Sequence, residues 1–374
     1  MRGHAKRGST RRLRGALSAA VAVCAVTAAL PAAASAEARG VADDPGAGVE
    51  RISVAADGTQ GDGGSAGASI TPDGRHVVFT SAAKNLVPGS PPQGDVPYVR
   101  DRAAGQIKRV GSYTPLQPPV ISGDGAYLAY ATQWMRDVRI FSHQVSTGAI
   151  AGVNCSAHSC GQPSLSADGR HLALALTFRP PLSGQRVEVQ DWGTGATETV
   201  ADLGHTSAAR PSISGDGRRV AYQDGKAGDV FVWDRTTGTS TGPLEGPATT
   251  ASLVQLSDDG GKVVHRSGPD TYVHDVGSGT AQLVPNVKGL AIDPTGRHLL
   301  YAPHDTTGPA LVLRNLYTGT DRTVSQQPAT AGVDAVSADG RHVVFQSAAD
   351  DIVPGDTNGT SDVFIRHFPA LPEG

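Results

Sequence analysis

Aromatic residues are scarce in this chain of 374 residues, at 5%, and charged residues reach only 18%. A helical bundle or coiled coil would be rich in Ala, Glu, Lys and Leu at a helical period, and no such pattern is present. Long apolar runs are missing too, apart from Ala16 to Leu30. That run is too short to span a bilayer, and no stop-transfer charge cluster follows it. Three cysteines are too few for a disulfide-dense scaffold. Nor is there an excess of positive charge, since 32 basic residues face 35 acidic ones. Nucleic acid and anionic membrane surfaces, which need concentrated Lys and Arg, are therefore not expected as partners. Disorder is excluded as well, because Val, Leu, Ile and Ala recur in short, regularly spaced clusters.

The N-terminus carries a targeting pattern. Arg2, Lys6, Arg7, Arg11, Arg12 and Arg14 surround the start of the apolar run, and Ala34-Ser35-Ala36 follows it as a small-residue cleavage site. This predicts a secretory signal peptide over 1–36, with a flexible linker over 37–48. Arg11-Arg12 leaves twin-arginine export open beside the general secretory route. Cys24 follows a bulky Val23, which fits lipidation poorly. The leader holds six of the basic residues and none of the acidic ones. The mature chain thus has 26 basic against 35 acidic residues, a net of −9. The expectation is a secreted, monomeric protein that does not insert in a membrane once the leader is gone.

Cysteine usage agrees with export. Without Cys24, only Cys155 and Cys160 remain, flanking a short polar loop with His158. An even count in an exported chain predicts one disulfide between them. A metal site of Cys155, His158 and Cys160 is the competing reading, and it lacks a fourth ligand nearby.

Self-comparison shows one motif seven times. Its first copy is Thr71-Pro72-Asp73-Gly74-Arg75-His76-Val77, and its last is Ser337-Ala338-Asp339-Gly340-Arg341-His342-Val343. Five more copies turn at Asp124-Gly125, Asp168-Gly169, Asp216-Gly217, Asp259-Gly260 and Thr295-Gly296. From Gly74 to Gly340 the spacing averages about 44 residues, the period of a four-stranded propeller blade. Each copy has an apolar strand, an Asp-Gly hairpin, a second strand and a third strand ending near an acidic or polar residue. A Thr-Gly or Ser-Gly turn and a polar fourth strand follow. The prediction is an all-β, seven-bladed propeller of four-stranded antiparallel blades over 49–374. The repeats lie near 66–111, 118–154, 162–202, 210–244, 252–285, 288–325 and 333–368. The last copy stops before its fourth strand, while Val49-Glu50-Arg51-Ile52-Ser53-Val54 stands ahead of the first copy as an orphan. The N-terminal strand is expected to complete the last blade and close the ring, which removes exposed sheet edges.

These residues resemble the TolB-like, WD-repeat-like β-propeller family. The carrying motif is S-x-D-G-R-x-V-x-F followed by D-V-F-V-x-D-x-x-T-G. Its best copies here are Ser337 to Phe345 with Asp362 to Arg366, and Ser214 to Tyr222 with Asp229 to Gly238. The resemblance covers nearly the whole mature chain and implies fold, while function varies widely among propellers. TolB-type proteins carry an α/β domain ahead of the propeller, and prolyl-peptidase relatives carry a hydrolase domain. Neither is expected here.

Candidate sites are few. Gly63-Gly64-Ser65-Ala66-Gly67 matches G-x-S-x-G, but a nucleophile elbow needs a strand before it and a helix after it, and here a Gly-rich loop precedes a propeller strand. Asp356, Asn358 and Asp362 alternate oxygen donors around a glycine turn, which suits Ca²⁺, although the loop also reads as a plain hairpin connection. His76, His171, His298 and His342 share one phase in four blades, so they cannot converge on one ion. Trp134, Met135 and Arg136 form the leading recognition candidate, since these residue types are enriched at binding hot spots and loops on rigid scaffolds carry binding. The functional expectation is a non-catalytic scaffold for a protein or cell-envelope component. The alternative is a lactonase- or lyase-like enzyme in the central funnel. It would require three or more carboxylate or imidazole groups converging there.

Overall fold

The computed structural model describes residues 48–369, except 152, 201–206, 245, 247 and 249. The expected signal peptide and nearly all of the linker lie outside the described residues. Every regular element among the described residues is a strand. Six sheets have four antiparallel strands joined in sequence order: blade 1 (65–109), blade 2 (120–151), blade 3 (159–199), blade 4 (208–244), blade 5 (252–284) and blade 6 (287–325). The seventh holds His342–Ser347, Asp362–His367 and the N-terminal Val49–Arg51. The orphan strand therefore closes the ring, pairing Val49 with Arg366, Glu50 with Ile365 and Arg51 with Phe364.

Blade 7 completes its inner edge with two isolated bridges, Thr330 to Gln346 and Val336 to Val343, in place of a continuous strand. Beside them Asp334 takes a left-handed φ of 55°, and its carbonyl accepts from Ile70 N of blade 1 at 2.7 Å.

The repeated turn explains its own sequence. In blade 4, Ser214 Oγ donates to Asp216 Oδ1 at 2.6 Å, and Asp216 Oδ1 accepts from Arg218 N at 2.9 Å. Gly217 adopts φ +70°, and a Cβ there would lie 2.5 Å from His171 Nδ1 of blade 3. Only glycine meets both conditions. The same wedge runs round the ring. His76 abuts Gly125, Tyr127 abuts Gly169, His298 abuts Gly340 and His342 abuts Gly74. The four in-phase histidines are thus half-buried spacers between blades.

The scarce aromatics concentrate at one register position. Phe79 pairs with Tyr98, Tyr130 with Phe141, Tyr222 with Phe231, and Phe345 with Phe364, each across the two middle strands. Their rings stack with centroids 5.5–6.2 Å apart. Burying each such side chain is worth about 1.5–3 kcal/mol, and a well-placed aromatic pair adds about 0.5–1.5 kcal/mol.

Antiparallel order fixes the two ends of the ring. Asp-Gly and Thr-Gly turns lie at one end. At the other lie the hairpins between second and third strands and the connections between blades. No helix among the described residues is long and apolar enough to cross a membrane.

Candidate recognition face

Blades 2 and 3 have middle strands of eight residues, whereas blades 1, 4, 5 and 7 have six. Their hairpins accordingly extend further at the end that carries the inter-blade connections. Trp134 closes the strand Tyr127–Trp134, and Met135 and Arg136 form the two-residue tip before Asp137–Gln144. Met135 is 87% exposed and holds φ 55°, a conformation uncommon outside glycine. Trp134 is 39% exposed and packs edge-on against Tyr113, centroids 5.2 Å apart. Phe141 lies 5.0 Å from Tyr113 and 5.6 Å from Trp134. The tip is therefore both exposed and held by a triad of rings.

Tyr113 and Leu116 come from the connection between blades 1 and 2, and Leu182 from the blade 3 hairpin. Together with Trp134 and Met135 they make five of the nine large apolar side chains exposed among the described residues. Leu116 N donates to Ala131 O at 2.8 Å, and Thr132 Oγ1 donates to Thr114 O at 2.8 Å, so this connection is anchored along blade 2. Arg179 links the two hairpins: its Nη2 donates to Arg136 O at 3.2 Å and lies 3.2 Å from Asp137 Oδ1. A groove of about 430 Å³ sits beside this link, with Arg139, His158, Phe178 and Leu182 on its walls.

Cys155 and Cys160 are within disulfide distance, with Cα atoms 5.9 Å apart. The loop they close supports the same hairpin. Ser159 Oγ accepts from Val138 N at 3.1 Å, and Arg139 Nη1 donates to His158 O.

Asp356 and Asp362 are also brought together, and the cation between them is an arginine. Arg51 Nη2 lies 3.2 Å from Asp356 Oδ2, and Arg51 Nε lies 3.2 Å from Asp362 Oδ2. Gln60 Nε2 donates to both carboxylates, at 2.9 and 2.6 Å, and Ser53 Oγ donates to Asp362 Oδ1 at 2.6 Å. Asn358 turns its oxygen to Thr360 N at 2.9 Å and its amide to Gly61 O at 2.9 Å. This cluster ties the N-terminal strand to blade 7. Among the described residues no group of three or more His, Cys, Asp or Glu is placed to hold a metal ion. Ser65 of the G-x-S-x-G match is buried, bonded to Ser81 Oγ at 2.9 Å, and opens the inner strand of blade 1.

The central channel holds about 400 Å³ and is lined by the inner strands. Its described lining includes two carboxylates, Asp258 and Asp334, and no histidine. Burial and then the neighbouring Asp334 push Asp258 up to about 7, and burial pushes Asp334 up to about 6. Asp334 Oδ1 accepts from Gln255 Nε2 at 2.6 Å. Gln162, Arg210 and Asp334, three of the five non-glycine residues at positive φ, all line this channel. Sequence reasoning missed Asp258, although its signal was visible: six other copies place Gly, Ala or Pro there. It also missed Tyr113, Leu116 and Leu182, which lie in irregular connections without periodicity.

No protein-family model matches the chain, and no curated protein is significantly similar in sequence. Solved structures do match. An oligogalacturonate lyase in complex with manganese has TM-score 0.62 at 14% identity, covering 86% of this chain and 93% of that one. An oligogalacturonate lyase from Vibrio parahaemolyticus has TM-score 0.60 at 14% identity, covering 86% and 97%. TolB from Acinetobacter baumannii has TM-score 0.43 at 18% identity, covering 59% and 54%, too weak a likeness to assign a family. At these identities the likeness is one of fold alone: the chain is a seven-bladed β-propeller.

Proposed function

We propose that the chain is an exported, non-catalytic propeller scaffold that binds a protein or cell-envelope component through the extended hairpins of blades 2 and 3. One observation carries this reading: exposed Trp134 is held by Tyr113 and Phe141, on a hairpin that Arg179 ties down through Asp137. Ordering such groups before binding lowers the entropic cost of association, and large aromatics dominate hot spots. The test is capture from envelope and secretome extract by the mature chain from Glu37 onward, with calcium and with chelator. A single enriched partner, depleted at least about tenfold by Trp134→Ala (a loss of about 1.4 kcal/mol), is expected in both conditions. Capture indifferent to Trp134→Ala, or no capture, overturns the reading.

The second reading, an enzyme acting in the channel, requires three or more converging carboxylate or imidazole groups, and the described lining there has two, Asp258 and Asp334. It is distinguished by where a ligand protects the molecule, at the channel or at the hairpins.

A further inference from the structure

A groove of about 530 Å³ opens between blades 4, 5 and 6, at the end that carries the inter-blade connections. Its charge is one-sided. Arg266 and Lys288 line it, and no acidic side chain is among its described lining residues. Arg266 stands on the strand Lys262–Ser267 and is half-buried, with its Nε buried and without a hydrogen-bond partner. Burial lowers the pKa of Arg266, and the nearby guanidinium of Arg210 lowers it further. None of Arg210, Arg266 and Lys288 has an acidic partner among the described residues. Elsewhere in the ring, by contrast, Arg51, Arg170, Arg218, Arg235 and Arg314 are all ion-paired. An unpaired, partly desolvated guanidinium beside a second one is unfavourable in the empty molecule, and an anion relieves it.

The chemistry narrows the anion. The Arg266 guanidinium and the Lys288 ammonium that line the groove match two negative charges, and the planar guanidinium fork matches a tetrahedral oxyanion. Hydroxyls of Thr250 and Ser252 add uncharged donors. The net of −9 on the mature chain makes this a local site, since the overall field repels anions.

We propose that this groove binds a tetrahedral dianion, a phosphate monoester or inorganic sulfate, with Arg266 as its main contact. The site is separate from the hairpin face, so Trp134→Ala leaves it intact. The test is calorimetric titration of the mature chain at low ionic strength with inorganic phosphate, inorganic sulfate and chloride. Saturable binding of either dianion and none of chloride is expected, weakened at least about tenfold by Arg266→Gln (about 1.4 kcal/mol). Phosphate alone assigns a phosphoryl ligand, and sulfate alone assigns inorganic sulfate. Lys288→Gln, at an exposed position, serves as a second variant that leaves the fold unchanged, and should weaken binding severalfold. Absence of saturable binding of both dianions, or binding that survives Arg266→Gln combined with Lys288→Gln, overturns the proposal.

Discussion

Removing Arg51 tests how the ring is closed. The N-terminal strand pairs with blade 7 over only three residues, Val49 to Arg51. Arg51 adds two contacts of 3.2 Å, to Asp356 and Asp362, with side chains only 9%, 5% and 0% exposed. At an effective dielectric of about 20, each contact is worth roughly 5 kcal/mol before desolvation. Desolvation offsets much of this, and breaking a buried pair by removing one partner costs about 3–5 kcal/mol. Ser53 and Gln60 still donate to the carboxylates, so Arg51→Met is expected at the lower end, about 3 kcal/mol. For a domain of about 320 residues that lowers Tm by about 4–5 °C. The assay is urea unfolding with thermal melts alongside. Adding Asp356→Asn and Asp362→Asn to Arg51→Met should recover most of the loss, because no buried carboxylate is then left without its cation. An Arg51→Met variant within about 0.5 kcal/mol of the parent, the range of ordinary surface changes, would refute the reasoning.

Other consequences follow from the same geometry. Millimolar calcium should leave Tm unchanged in the parent, because Arg51 already occupies the space between Asp356 and Asp362; melts with calcium and with chelator check this. Asp258 is raised from 3.8 to about 7. As pH rises from about 4 to 7 the unfolded chain loses this proton while the native chain keeps it, so stability falls over that window. Asp258→Asn should therefore be more stable than the parent at pH 8, by about 2 kcal/mol after allowance for the solvent-facing channel, and should lose that advantage by pH 4. Urea curves at the two pH values decide, and a variant no more stable at pH 8 would contradict the burial argument. Replacing Cys155 and Cys160 by serine opens a loop of sequence separation 5. The entropic cost is about 2 kcal/mol, and partner capture should fall with it, because this loop supports the Trp134 hairpin. Unaltered capture by the serine variant would separate the loop from recognition.

The repeat was legible because it is local. Asp-Gly turns bonded within five residues carry their own signature, and seven of them at one period imply seven blades. The orphan strand was legible for a related reason, since a closed ring must balance its strands. What escaped is non-local. Arg51 and its acids are about 300 residues apart, and nothing near Arg51 announces a buried ion cluster. The alternating spacing of Asp356, Asn358 and Asp362 does not announce that Arg51 lies beside both carboxylates. The inner edge of blade 7 is tied to its neighbour, since Asp334 O accepts from Ile70 N of blade 1. Trp134 and Met135 were found by residue type, whereas Tyr113 and Leu182 join them only through the ring's geometry.

Amide hydrogen exchange on the captured complex tests the recognition claim most directly. The account predicts protection over 113–116, 134–137 and 178–182, with channel strands near Asp258 and Asp334 unchanged. Protection confined to the channel, with the hairpin tips exchanging as in the free protein, would contradict it.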